Sequence, residues 1–225
     1  EKMRQEFISN VSHEIQSPLT SIHGFARALR DPGLSEGQRA YYLDIIETEC
    51  MRLSRLSDNL LKLTTLESEH HPFELKRYRL DKQLREVVLA YEPQWLDKEI
   101  DMEVNLEETE IVADHDLMNQ VWGNLLHNSI KFTPCGGTIS VRLRQRDGEA
   151  EVRIADTGIG IGEEDLPRIF ERFHKADKSR NRSGGGSGLG LAIAKKIVDL
   201  HRGSIDAQSK PGDGAVFTVR LPAGK

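Results

Sequence analysis

The chain has 225 residues, 37% of them hydrophobic and 30% charged, which allows one large domain or two small ones at roughly 100–200 residues each. Lysine and arginine total 31 against 36 aspartates and glutamates, a net charge of −5 with both signs mixed along the chain. That balance excludes a protein built to coat nucleic acid, which carries a basic excess, and it excludes an acidic tail or a basic arm. The apolar residues are too regularly patterned for a disordered chain. No apolar run reaches the roughly 18 residues needed to span a bilayer, and no signal peptide opens the chain, so no membrane contact is expected within it. Cys50 and Cys135 lack metal-ligand spacing and read as reduced thiols of a cytosolic protein. The opening Glu1-Lys2-Met3-Arg4-Gln5-Glu6-Phe7 has mid-helix character, and the chain reads as a soluble piece of something longer.

Over residues 2–30, Ile8, Val11, Ile15, Leu19, Ile22, Ala26 and Leu29 recur at steps of three and four, one stripe of an amphipathic helix. Asp31-Pro32-Gly33 breaks it and Ser35-Glu36-Gly37 offers the next start. Leu43, Ile46, Cys50, Leu53, Leu56, Leu60 and Leu63 make a second stripe, which runs to about Glu69 and stops at His70-His71-Pro72. Such a hairpin has little to cover its apolar side. It is expected to pair with a copy of itself as a dimeric four-helix bundle, and packing on the rest of the chain is the competing outcome. The domain boundary is placed here: an all-α hairpin over 1–70 and a second domain over 71–225.

In the second domain the texture alternates. Strands are expected over 73–80, 100–106 and 110–113, with a helix over 81–98 and another, capped by Asp114, running to Thr133. Residues 138–145 and 149–155 alternate around Arg146-Asp147-Gly148, a hairpin signal. A glycine-rich, basic stretch spans 156–190, with a low-complexity piece at 183–188. A helix over 191–200 and strands over 204–208 and 215–221 close the chain. Hairpins outnumber crossovers, so the fold class is α+β, a mostly antiparallel sheet with helices on one face.

Four short stretches carry the chemistry. His13 lies roughly 200° round its helix from the apolar stripe, among Ser9, Gln16, Ser17 and Thr20. A neutral, solvent-facing imidazole can attack an electrophile, and Glu14 can orient it or accept the other ring proton. Pro18 permits a bend. An inert surface histidine would show the same pattern. Asn124, Asn128 and Lys131 share one helix face, where amide oxygens suit Mg²⁺ and the lysine suits phosphate; a merely polar face is the alternative.

Asp156-Thr157-Gly158-Ile159-Gly160 follows a strand. Its carboxylate can accept from an exocyclic amine while the glycines admit a flat base, although an Asp-Gly turn has the same composition. Gly184 to Gly190 leads into a helix whose N-terminus favours anions, although Gly-Ser linkers look alike. A dinucleotide fingerprint is excluded because residues 177–182, not a buried strand, precede it, and no Gly-Lys-Ser or Gly-Lys-Thr phosphate loop is present. Arg172, Lys175, Lys178, Arg180 and Arg182 suggest a basic lid over a polyphosphate, anchored by Phe170 and Phe173.

In their order along the chain these stretches resemble the motifs of sensor histidine kinases of two-component signalling. Ser12-His13-Glu14-Ile15-Gln16-Ser17-Pro18-Leu19 is similar to the H box and residues 124–133 to the N box. Residues 156–160 match the first G box, Phe170-Glu171-Arg172-Phe173 the F box, and residues 186–191 the second G box. The resemblance implies a dimerisation and phosphotransfer hairpin followed by a catalytic domain of the Bergerat (GHKL) type. That fold is an α/β sandwich shared with Hsp90, gyrase B and MutL, which lack the His13 hairpin.

By resemblance, His13 is the phosphoacceptor attacking the γ-phosphate of ATP, and Glu14 assists removal of its proton. Asn124 and Asn128 bind Mg²⁺ and phosphate, with the closer metal ligand left open. Lys131 and Lys175 contact phosphates, Phe132 joins the nucleotide site, and Asp156 reads the adenine amine beside Gly158 and Gly160. Gly186, Ser187, Gly188, Leu189 and Gly190 form the lid hinge and phosphate loop.

The chain departs from the usual pattern at Ser17, where the family has Thr or Asn in the position that serves dephosphorylation of the regulator. It departs also at Ile15-Gln16, in place of Leu-Arg, and at Ser129, in place of Ala. The implied protein is a homodimeric, ATP- and Mg²⁺-dependent histidine kinase that passes phosphate to an aspartate of a response regulator receiver domain, with regulator phosphatase activity as a further implication. It would not bind nucleic acid and would be the cytoplasmic portion of a membrane-anchored sensor. A nucleotide-responsive scaffold or phosphatase, and an unrelated ATPase of the superfamily, are the rival readings; the His13-Glu14 pair opposes both. Residues 31–37 do not settle whether transfer runs within or between subunits.

Overall fold

A computed structural model describes residues 2–68, 73–176 and 186–223. The domain boundary expected at His70-His71-Pro72, the basic residues Lys178, Arg180 and Arg182, and Gly184 lie outside the described residues.

Helices α1 (Lys2–Ala28) and α2 (Glu36–Glu67) form the expected hairpin. Asp31 Oδ1 accepts from the Gly33 N–H at 2.8 Å, folding the turn back on itself. Ser35 then caps α2 reciprocally with Gln38: Ser35 Oγ accepts from Gln38 N, and Gln38 Oε1 accepts from Ser35 N at 3.0 Å. Pro18 sits buried within α1. The apolar stripe of α2 divides between two fates. Leu56, Leu63 and Leu66 are buried in the same core as the second domain. Ile8, Leu19, Leu43, Met51 and Leu61 stay about half exposed along the hairpin. Packing on the second domain is therefore real, but covers only part of the apolar surface.

The second domain contains β1 (Leu75–Arg79), α3 (Leu80–Ala90), α4 (Glu92–Asp97), β2 (Asp101–Leu106), β3 (Glu110–Asp114) and α5 (His115–Phe132). It continues with β4 (Thr138–Arg146), β5 (Glu149–Asp156), α6 (Gly190–Leu200), β6 (Ser204–Ser209) and β7 (Ala215–Pro222). One five-stranded sheet has the order β2-β4-β5-β7-β6. All its pairings are antiparallel except β2 with β4, which run parallel with α5 in the crossover. β1 and β3 form a separate antiparallel ribbon. The helix expected over 81–98 is two helices, because Pro93 in the first turn of α4 has no N–H to continue the ladder and the chain turns at Tyr91.

The alternation of β4 and β5 puts Ile139, Val141, Leu143, Ala150, Val152 and Ile154 on one face. That face buries against Met118, Val121, Trp122, Leu125 and Ile130 of α5 and Ile193, Ala194 and Ile197 of α6. The same parity carries Asp156, the last residue of β5, to the buried side. No described helix is long and apolar enough to cross a membrane. Both cysteines are free and exposed.

Helix α5 is held at both ends. Asp114 caps it, accepting from Leu117 N at 3.1 Å through Oδ1 and from Glu74 N at 3.0 Å through Oδ2. Its own N–H donates to Nε2 of buried His201 at 2.9 Å, so the His201 proton sits on Nδ1 and donates to Ile197 O at 2.8 Å. Burial pushes the His201 pKa down. At the other end Lys98 Nζ donates to the carbonyls of Ile130 (2.7 Å), Lys131 (3.1 Å) and Thr133 (2.5 Å). An ammonium there meets both the orphan carbonyls and the negative end of the helix dipole.

Candidate functional site

The first cluster surrounds Asp156. The carboxyl is 9% exposed, and its Oδ1 accepts from Gly158 N at 2.9 Å and Ala215 N at 3.2 Å. Burial raises its pKa, while those two N–H groups and the Ser129 hydroxyl pull it back. The first glycine of the motif is fixed by space. A Cβ at Gly158 would stand 2.6 Å from Asp156 Oδ1 and 2.7 Å from Phe132 O. Gly214 is constrained harder, at φ +76 with its Cβ position 1.8 Å from Asp156 O. The loop of Gly158 is tied to the end of α5 by Ile159 N donating to Phe132 O at 3.2 Å. Sequence reasoning missed Gly214 and Ala215, which lie in what reads as an ordinary turn between two strands.

The second cluster lies along α5. Asn124 Nδ2 donates to Gly190 O at 3.0 Å, which leaves Asn124 Oδ1 as an acceptor beside the start of α6. Asn128 and Lys131 are half-buried on the same side of the helix. Lys131 Nζ stands 4.9 Å from the centre of the Phe132 ring, and the Cβ position of Gly186 is 3.3 Å from it. Burial, then the charges of Lys175 and Arg52, push the Lys131 pKa down. Cations gathered around half-buried amides form a receptacle for a polyanion. Among the described residues no group of three His, Cys, Asp or Glu side chains could hold a metal ion; the hard donors available here are the two asparagine amides.

The third cluster joins the two parts of the chain. His13 is exposed on α1, with Ser17 exposed one turn later. Glu14 is half-buried between two cations: Arg52 of α2 at 3.4 Å from Oε2, and Lys175 at 2.5 Å from Oε1. Arg172 pairs with Glu67 and lies 5.7 Å from the Phe7 ring centre. The rings of Phe7 and Phe173 are 5.7 Å apart, and Asn59 Nδ2 donates to Ser187 Oγ at 3.2 Å. Gly188 (φ +69) and the buried Leu189 complete the loop against Phe173, whose N–H donates to Gly188 O at 2.9 Å. Gly160 also has positive φ, +72, and its Cβ position is 2.0 Å from Lys210 O. Asn124, Lys131 and the loop 186–190 are thus brought together, and Glu14 meets Lys175. No described hydrogen bond or ion pair joins His13 to Asn124, Asn128 or Asp156. Arg52 was not foreseen, since it carries no motif and becomes visible only once α2 lies against α1.

Residues 3–69 match the "His Kinase A (phospho-acceptor) domain" and residues 113–225 match the "Histidine kinase-, DNA gyrase B-, and HSP90-like ATPase" family. The chain belongs to the sensor histidine kinases. This histidine kinase is 34% identical over 226 residues to the sensor histidine kinase WalK of Bacillus subtilis, covering 97% of this chain and 36% of WalK. Its fold matches the histidine kinase ThkA, solved in complex with response regulator protein TrrA, with a TM-score of 0.80 at 27% identity, over 97% of this chain and 61% of that one. It also matches full-length ShkA, solved in complex with AMPPNP, with a TM-score of 0.72 at 28% identity, over 98% of this chain and 46% of that one. The chain spans about a third of the length of curated relatives such as WalK.

Proposed function

We propose that the chain is the catalytic portion of an ATP-dependent protein histidine kinase, with a phosphotransfer hairpin over 1–70 and an ATP-binding domain over 71–225. The observation that carries this reading is the contact between Glu14, the carboxylate next to exposed His13, and Lys175 of a domain that also holds the buried Asp156 carboxyl. In this reading Asp156 accepts from the adenine amine, beside Gly158 and Gly160. Lys131, Lys175 and the loop 186–190 take the phosphates, and Phe132 backs Lys131. Asn124 and Asn128 fit a hard cation through amide oxygens, with phosphate oxygens and water completing the shell. Bound Mg²⁺ there would offset the charge developing on the transferred group.

A ring nitrogen of His13 attacks the γ-phosphorus, a P–N bond forms as the bond to the β-phosphate oxygen breaks, and ADP leaves. Glu14, paired with Arg52 and Lys175, receives or orients the ring proton. The phosphoryl group then passes to an aspartate of a response regulator receiver domain. The half-exposed apolar residues of the hairpin are the surface that a homodimer would cover. Ser17 keeps a hydroxyl one turn from His13, which supports regulator phosphatase activity as well. The need for ATP puts the reaction on the cytoplasmic side of any membrane the whole protein is attached to.

The test is incubation with γ-labelled Mg-ATP. Label stable in alkali, released by acid and absent from His13→Ala is the expected result. Equal label on His13→Ala would overturn the assignment.

A further inference from the structure

Glu14 is held by two cations that differ in where they come from. Lys175 belongs to the second domain, and in the reading above it takes the phosphates. Arg52 belongs to the hairpin itself, on the part of α2 that faces Glu14 of α1. Its Nη2 donates to Glu14 Oε2 at 3.4 Å, while Nη1 stands 3.7 Å from Glu49 Oε2, three residues back on α2. The three side chains are about equally sheltered, at 27% exposed for Arg52, 21% for Glu14 and 20% for Glu49. Glu49 braces the far side of the guanidinium. Its Oε2 is shut off from solvent and accepts no hydrogen bond among the described residues. A carboxylate oxygen withdrawn from water attracts a nearby cation more strongly than an exposed one does. The planar fork of arginine can address two carboxylates at once, which the compact ammonium of a lysine does less well.

That bracing matters when the other cation turns away. An ammonium drawn to phosphate loosens its hold on Glu14, and Arg52 is then the cation left beside the carboxylate. An unheld glutamate on a helix surface swings among several rotamers. A group that must meet a ring proton is sensitive to displacements of about 1 Å, so the loss of a fixed position slows the transfer. A carboxylate has about four lone-pair sites, and one N–H from Arg52 leaves room for the proton of His13.

We propose that Arg52 is a positioning residue of the phosphoryl transfer, braced by Glu49 and holding the Glu14 carboxylate beside His13 while Lys175 attends to the phosphates. The inference rests on the roles of His13 and Glu14 given above. It assigns to α2 a part in the chemistry carried by α1.

The test is single-turnover labelling of the whole chain at saturating γ-labelled Mg-ATP, on wild type, Arg52→Gln, Arg52→Lys, Glu14→Gln and the variant that combines Arg52→Gln with Glu14→Gln. Arg52→Gln should label His13 about ten- to a hundredfold more slowly than wild type. Arg52→Lys, with the charge but not the fork, should fall between the two. Arg52→Gln should melt within about 4 °C of wild type, because a partly exposed ion pair adds little stability. The combined variant decides. Arg52 acts through Glu14, so in the Glu14→Gln background Arg52→Gln should slow labelling by less than about twofold. The charge of Arg52 also reaches Lys131, and an arginine that served the phosphates directly, or the fold, would cost the same factor in both backgrounds. That result, or an Arg52→Gln that labels as fast as wild type, overturns the proposal and leaves the kinase reading standing. If Glu14→Gln labels as fast as wild type, the role given to Glu14 itself falls.

Discussion

Lys98 gives the most direct check on how the nucleotide cluster is held. The perturbation is Lys98→Met, which keeps most of the half-buried stem and removes the ammonium. Three carbonyls at the end of α5, those of Ile130, Lys131 and Thr133, lose their donor together. A hydrogen bond to a charged group contributes about 1.5–3 kcal/mol, and a cation at a helix C-terminus roughly 0.3–1 kcal/mol. The three bonds share one donor and two of the carbonyls can turn toward water, so their sum is not additive, and a net loss of about 2–3 kcal/mol is expected. For a domain of this size that corresponds to a melting point lower by roughly 4–12 °C. One of the three carbonyls belongs to Lys131, so ATP affinity should weaken alongside stability. Thermal melting followed by circular dichroism and calorimetric titration with ATP read the two effects. A Lys98→Met variant that melts within about one degree of wild type would refute the reasoning.

Three further outcomes are expected. Asp156→Asn should weaken ATP binding about 10- to 150-fold, the range of a charge-assisted hydrogen bond, and a calorimetric Kd within twofold of wild type would contradict the role given to the carboxyl. Glu14→Gln should slow labelling of His13 by about a hundredfold or more, which single-turnover labelling checks, while ATP binds at least as tightly as to wild type because Lys175 is released from its carboxylate. His201 is held neutral, with its folded pKa depressed mainly by burial, although Asp114 and the Ile197 carbonyl push the other way. The unfolded chain therefore binds the proton first. The stability this histidine contributes is full above about pH 6.5 and is lost as pH falls from there through the depressed folded value. Urea midpoints at descending pH should show this loss, and His201→Gln should flatten it.

What was legible in the sequence is what local chemistry dictates. The spacing of Ile8, Val11, Ile15 and Leu19 sets the face of α1 and leaves His13 outside it. Asp114 announced the start of α5, and the alternation of β5 carried Asp156 inward. The four- and three-residue steps between Asn124, Asn128 and Lys131 put these side chains on one side of α5, where all three are half-buried. What was not legible depends on distant pieces of chain meeting. Ala215 N reaches Asp156 across 59 residues, and Lys175 reaches Glu14 across 161. The separation of β1 and β3 as their own ribbon, and the parallel pairing of β2 with β4, follow from which edges remain open once the sheet assembles; short strands do not encode that individually. The break at Tyr91 was encoded, by Pro93, and the apolar periodicity that runs through it hid the signal.

The Glu14–Lys175 pair has a thermodynamic consequence. Neither side chain is deeply buried, at 21% and 33% exposed, so the pair remains within reach of solvent ions. An ammonium engaged by the hairpin carboxylate is withdrawn from every other anion. Whatever anion draws Lys175 away loosens the hairpin from its neighbour by some factor, and the closed arrangement must hold that anion more weakly by the same factor. Occupancy and posture are thus two readings of one equilibrium, and raising the salt concentration shifts both at once.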